Sequence, residues 1–324
     1  MTMTRTKILL GAVLMFVWIC PVQAQRDPYP SKPVRIVVGF PPGGGVDVVA
    51  RLIAQKMPGV WGQQVVVDNR PGAASILATR LVASAAPDGY NVLINSNTMV
   101  ANQLANPNAG YDIERQLTPI LNVAWQPNIF VATPALPVTT LADVIALLHK
   151  RKLSFGTPGL ASIPHLAGVL LFNILAKTEI VHVPFKGAVP ALTAAMGGEI
   201  ELAGLTLPPA VPHVRAGKIK GIAVTSGKRA STLPDLPTVA ESGFPGYEAN
   251  VFSGFFMPAG TPKPVVDRFY QAVLEVMAMA DVKEQLATLG FEPADTSGDE
   301  FRRLVPDELK KWSKVIRTAN IKLE

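Results

Sequence analysis

The stretch Pro41-Pro42-Gly43-Gly44-Gly45-Val46-Asp47 is the segment of this sequence best suited to holding a ligand. Three consecutive glycines let a ligand approach bare backbone. From Val46 onward, Val46, Val49, Ala50, Ile53, Ala54 and Met57 recur on one face of a helix. The first N–H groups of such a helix have no partner inside it, which makes its start a natural seat for an anion. Phe40 stands at the entry of the loop. Asp47 falls in the first turn, where a carboxylate either caps free N–H groups or contacts a ligand. The glycines are followed by no Lys-Ser/Thr pair, as a P-loop requires, and lack the spacing of a dinucleotide fingerprint.

Other residue pairs invite chemistry and do not carry it. Ser162 and His165 are three apart and could face each other. No Gly-x-Ser-x-Gly elbow surrounds the serine, and no acid is placed to orient the histidine, so a hydrolase is not expected. His149, His182 and His213 lack metal-ligand spacing with any Asp, Glu or Cys. Neither a metal nor a cofactor is implied, and no catalytic residue is assigned. Lys186 can pair with an anion or stay solvated.

The elements around these residues alternate between strand and helix. Apolar runs predict strands at 34–40, 64–68, 90–95, 120–124, 129–133, 153–156, 180–184, 200–205, 219–225 and 251–257. Helical periods follow at Val46–Met57, Ala74–Ala85, Leu166–Ile174 and Val189–Met196. Thr140 and Thr261 read as caps of two further helices, and Asp299 opens a last one that Pro306 kinks. Pro-rich turns fill 226–247. Repeated βα units argue for an α/β fold with mostly parallel sheets. In such sheets ligands bind beyond the carboxyl ends of the strands. There stand the loops Pro41–Asp47, Ser96-Asn97-Thr98, Thr157–His165 (with Gly159 and Ser162), Phe185–Ala188 and Gly204-Leu205-Thr206. They are rich in Gly, Ser, Thr and Pro and poor in acid–base pairs, which suits binding rather than bond-making.

The chain opens with Arg5 and Lys7, the apolar run Ile8–Ile19, and small residues Val22 and Ala24 before Gln25. That pattern predicts a secretory leader over 1–24 that is removed to leave Gln25 first, not a membrane span, because the apolar core is too short. The single cysteine, Cys20, lies in the leader, so the mature chain has neither disulfide nor thiolate chemistry. The formal charge of +6, two units of which belong to the leader, is scattered; it favours small anions and lacks the basic stripe of a nucleic-acid binder.

Specific motifs then accumulate in order. The opening Tyr29–Asp47 is followed by VVVDNRPGA (65–73), APDGY (86–90), GTPG (156–159) with His165, and HVPFKGAVPAL (182–192). After these come AGKIKGIAVTSGKR (216–229), LPDLPTVAESGFPGYE (233–248) and PAGTPKPVV (258–266). Over nearly the whole mature length the sequence resembles the Bug family, the extracytoplasmic receptors of tripartite tricarboxylate transporters. The resemblance implies a two-lobed periplasmic binding protein of type II-like build, with a hinge and a cleft that holds a small carboxylate or related organic anion. It implies membrane transporter subunits as partners and a monomer in the periplasm. The expected division is 26–125 plus 251–324 for one lobe and 126–250 for the other, with a ligand-sensing module for a membrane kinase as the alternative use of the same fold. The expected ligand residues are Phe40, Gly43, Gly44, Gly45, Val46, Asp47, Asn97, Thr98, Thr157, Gly159, Ser162, His165 and Gly204. The sequence departs from the family at Val46, usually Thr, and at Ala203-Gly204-Leu205, where an acidic step is usual. The loop Gly159-Leu160-Ala161-Ser162 is also stiffer and more apolar than the family's. Loss of the acidic step predicts a preference against α-amino acids.

Overall fold

A computed structural model describes residues 29–294 and 297–321; the expected leader, Gln25 and Cys20 lie outside the described residues. Among the described residues, eleven strands appear in chain order. They are β1 (Val34–Val38), β2 (Val65–Asn69), β3 (Asn91–Asn95), β4 (Leu117–Gln126), β5 (Asn128–Ala132) and β6 (Leu153–Thr157). Then come β7 (Ile180–Pro184), β8 (Leu202–Thr206), β9 (Lys220–Val224), β10 (Val251–Pro258) and the two-residue β11 (Glu292–Pro293). They form two sheets, ordered β11-β4-β10-β3-β1-β2 and β7-β6-β8-β5-β9. The chain passes from the first sheet to the second at Pro127 and returns at Val251.

The sheets are mixed, where mostly parallel ones were expected. β1 runs parallel to β2 and β3, and β6 parallel to β7 and β8. The strand on which the chain enters each sheet after crossing, β5 or β10, lies antiparallel to both of its neighbours. Such a strand arrives from the other sheet rather than through a crossover helix, so nothing forces it parallel.

Helices cover both faces. Those at Gly45–Trp61 and Lys263–Ala278 share a core with β1, β4 and β10 that includes Ile36, Ile53, Met57, Phe255 and Phe269. Those at Ala188–Met196 and Leu207–Arg215 cover the second sheet around Ile129, Leu192 and Leu205. A third cluster is continuous between the sheets. Phe130, Phe155 and Phe172 belong to it, as do Phe252, Phe256, Phe301 and Trp312. Of the helices expected from their caps, one differs at its start. Thr261 donates its hydroxyl to Pro258 O and Pro262 occupies the N-cap position, so Thr261 is not the cap. Pro306 lies within one helix running Gly298–Thr318, started by a Ser297–Glu300 capping box. Thr140 does cap Leu141–Leu148, in a capping box with Asp143.

Candidate functional site

A cavity lies between the two sheets. It sits beyond the carboxyl ends of β1, β3, β6 and β8, the place where α/β sheets bind ligands. Five helices begin at its wall, and in each the N-cap residue or a neighbour lines it. The starts are Gly44-Gly45, Ser96 to Thr98, Ser162, Gly187-Ala188 and Thr206. None of the lining residues is charged; only Ser96, Thr98, Ser162 and Thr206 bring polar side chains. The electrostatics of the wall therefore come from backbone dipoles, which favour negative charge at helix starts.

The five starts are not equivalent. Ser162 Oγ caps its own helix by accepting the His165 N–H. The Leu207 N–H is donated to Pro127 O, and Pro208 and Pro209 have none to give. Ser96 Oγ accepts the Thr98 N–H. By contrast, no side chain caps the Gly45 helix or the Ala188 helix, and among the described residues the N–H groups of Gly45, Val46, Ala188 and Val189 meet no acceptor. These two open starts come from opposite sheets and face each other. A Cβ on Gly187 would stand 3.2 Å from Pro41 Cδ, and one on Gly43 would stand 3.7 Å from Val189 Cγ2.

The glycines of the loop have separate reasons. Gly43 has φ +87, a left-handed turn that favours glycine. Gly44 has an ordinary extended conformation, φ −74 and ψ 160, and a Cβ there would have only Pro41 O within 4 Å. Gly45 is fixed by packing, since a Cβ would overlap Gln126 Oε1.

Asp47 is buried and turned away from the cavity. Its carboxylate accepts the Gly43 N–H at 2.9 Å, Asn69 Nδ2 at 2.8 Å and Arg51 Nε at 3.0 Å. Asn69 Nδ2 also donates to Phe40 O, so Asp47 holds the whole loop from behind.

Phe40, Gly44, Gly45, Val46, Thr98 and Ser162, all expected at the site, line the cavity; Gly43 shapes the loop beside it. Asn97, Thr157, His165 and Gly204 do not reach the wall. Asn97 Nδ2 donates to Asn250 O and to Glu308 Oε2, tying the loop to the returning crossing and the last helix. Gly204 faces the core, where a Cβ would stand 2.6 Å from Phe155 Cζ and 3.1 Å from Pro164 O. Its lack of an acid therefore leaves the wall as it was. Gly159, with φ +146, lines an adjoining cavity.

The histidine positions are structural in this arrangement. His165 Nδ1 accepts the Ala161 N–H at 3.1 Å, and its ring stacks on His182 with centroids 3.8 Å apart. His182 Nε2 meets Thr157 Oγ1 at 2.7 Å. Burial pushes the His165 imidazolium down to about 3, aided by the neighbouring His182, and burial pushes His182 down to about 4. Ser162 Oγ donates to Gly159 O at 2.7 Å. Its proton is directed at a carbonyl, away from any histidine nitrogen, and no nucleophile pair forms.

The expected ligand residues leave out Pro41, Pro42, Ser96, Pro158, Pro164, Gly187, Ala188 and Thr206 of the wall, although all of these fall in the loops expected at the strand ends; Val189, Pro190 and Val251 lie outside those loops. The uncapped start after Phe185-Lys186-Gly187 was the available signal: a glycine followed by an apolar helical period with no Ser, Thr, Asp or Asn to cap it. Thr206 Oγ1 is buried in the wall with no hydrogen-bond partner among the described residues.

Residues 49–321 match the model of the tripartite tricarboxylate transporter family receptor. The chain is 36% identical over 319 residues to the UPF0065 protein in the tcbD-tcbE intergenic region of Pseudomonas sp. (strain P51), covering 96% of this chain and 94% of that one. Among solved structures, R. palustris Rpa4515 with adipate is similar at 36% identity with a TM-score of 0.87, over 91% of this chain and 99% of that one. The periplasmic binding protein BugD is similar at 31% identity with a TM-score of 0.86, over 91% of this chain and 100% of that one. Both the fold and the sequence, over nearly all of its length, place the chain in one family: it belongs to the receptors of tripartite tricarboxylate transporters.

Proposed function

We propose that this protein is a periplasmic receptor that binds a small carboxylate in the cavity between the sheets and delivers it to the membrane subunits of a tripartite transporter. The observation that carries this reading is the pair of uncapped helix starts, Gly45 and Ala188, facing each other across a wall without charged side chains. A carboxylate there accepts N–H groups from both sheets, so its binding favours the state in which they are closed on it. The apolar remainder of the wall suits a hydrocarbon body, and the adipate carried by the R. palustris relative is of this kind. The wall offers no carboxylate to an ammonium group, which disfavours α-amino acids. In this reading residues 1–24 direct export, the mature chain starts at Gln25 and works as a monomer, and residues 26–125 with 251–324 form the lobe opposite 126–250. The protein binds and releases its ligand without chemistry.

A thermal-shift screen tests the reading, because a ligand that binds only the native state stabilises it by RT ln(1 + [L]/Kd). Plain carboxylates should raise the melting temperature, and α-amino acids should leave it unchanged. The reverse pattern contradicts the proposal.

A further inference from the structure

A groove that shares no residue with the candidate site lies between two helical segments. One is Val169–Leu175, from the stretch of chain between the two crossings; the other is the last helix, Gly298–Thr318, which follows the second crossing. The floor is apolar: Val315 is buried, and Leu170 and Ile174 are half-buried. The rim is basic. Lys310, Lys311 and Lys314 stand exposed along it against one acid, Asp307.

This charge is poorly compensated from within. Lys311 Nζ lies 3.9 Å from Glu308 Oε1 and 5.1 Å over the Trp312 ring. Among the described residues, neither Lys310 nor Lys314 nor Asp307 enters an ion pair. Lys310 and Lys314 are one turn apart on the same helix face, where like charges repel. The helix dipole favours cations in the last turn, which holds Arg317; the three lysines stand before it.

The shape distinguishes a protein partner from a membrane. Apolar side chains that enter a bilayer form the outward face of a helix. Here the apolar residues form the floor and the cations the rim, which is the anatomy of a protein interface. A segment that fills the groove must carry an apolar side chain flanked by carboxylates. The two walls belong to the two parts of the chain that meet across the candidate site. A partner seated here touches both at once, as a subunit must if it is to distinguish loaded receptor from empty.

We propose that this groove docks an acidic, amphipathic segment of the transporter's membrane subunits. Its apolar side chain lies on Leu170, Ile174 and Val315, and its carboxylates meet Lys310, Lys311 and Lys314. This inference rests on the reading that the protein delivers its carboxylate to such subunits, and it adds the surface on which they meet.

The test measures binding of the carboxylate-loaded protein to the purified membrane subunits in phospholipid nanodiscs, beside nanodiscs of the same lipid alone. Wild type should bind the subunits well above the lipid, and rising salt should weaken that binding. Lys310→Glu/Lys314→Glu should weaken it by about tenfold or more, because like charges then meet across the contact, while carboxylate affinity stays at the wild-type value. Lys218→Glu/Arg268→Glu, which changes the net charge equally at exposed positions outside the groove, should bind as wild type does. Unchanged binding of Lys310→Glu/Lys314→Glu, or equal weakening by both pairs, overturns the docking surface and leaves delivery standing. Equal binding of wild type to nanodiscs with and without subunits assigns the lysines to the membrane and overturns the protein partner. Wild type that holds its carboxylate yet neither binds the subunits nor supports uptake through them overturns delivery, and the docking surface with it.

Discussion

Asp47 and Gly44 sit three residues apart and do different work. Asp47 directs its carboxylate at Gly43, Asn69 and Arg51 behind the loop. Asp47→Ala takes a charged acceptor from the Gly43 N–H and from Asn69 Nδ2, which keeps its bond to Phe40 O, and should cost about 1–3 kcal/mol of ligand-free stability in urea unfolding. Gly44 is free of strain and of close neighbours, so a side chain there projects at the cavity without disturbing the loop. Gly44→Val should leave the ligand-free melting temperature unchanged and weaken carboxylate binding by about 2 kcal/mol or more, the scale of an unpaired charged acceptor. The stacked histidines give a pH dependence. Their unfolded values lie near 6.5, and burial lowers the folded values to about 3 for His165 and about 4 for His182. Below pH 6.5 the unfolded chain takes up protons that the folded chain refuses, so stability falls as the pH drops from 6.5 toward 3. Urea midpoints should decline across that window, and His182→Gln should flatten the decline. A midpoint that holds constant from pH 6.5 to 4.5 contradicts the assignment. At this scale the glycine loop was legible, because an unbroken Gly run after a strand has few other uses. The roles of Asn97, Thr157, His165 and Gly204 were not, since only the tertiary packing decides whether a side chain at a strand end turns toward the cavity or toward Phe155 and Glu308.

The elements that matter most are helix starts, and these were unevenly visible. The period after Val46 marked its helix cleanly, whereas Leu207–Arg215 was hidden by Pro208, Pro209 and Pro212. Prolines at the second and third positions cost a helix nothing, because those N–H groups would be unpaired in any case. The helix Thr98–Ala105 goes unassigned in the sequence; only its polar start, Ser96-Asn97-Thr98, is placed there, as a loop. The mixed sheets escaped notice for another reason: strand direction after a crossing is a property of the path between sheets and leaves no mark on the strand itself. The last helix shows how far an element can act from the cavity. Glu308 is buried and accepts from Asn97 Nδ2 at 2.6 Å and Trp312 Nε1 at 2.7 Å. Removing it leaves the Trp312 N–H without its acceptor and Asn97 Nδ2 with only Asn250 O, so Glu308→Ala should cost about 3 kcal/mol in denaturant unfolding, and Glu308→Gln, which keeps an acceptor, should cost less. Equal loss in the two variants would place the effect in packing instead.

At the scale of the molecule, the alternation of strands and helices carried the fold, and all ten strands expected from apolar runs recur within a few residues. The eleventh, Glu292–Pro293, is too short and polar to signal itself. What the chain could not disclose is that its two open helix starts meet. They lie 143 positions apart in sequence, at Gly45 and Ala188, and only the two crossings at Pro127 and Val251 bring them face to face. The central claim is that an anion binds where they meet. A crystal structure of the protein with a carboxylate that raises its melting temperature tests this directly. The account predicts carboxylate oxygens within hydrogen-bond distance, directly or through one water, of the N–H groups of Gly45 or Val46 on one side and of Ala188 or Val189 on the other. A carboxylate seated elsewhere, with both helix starts left to solvent, would contradict it.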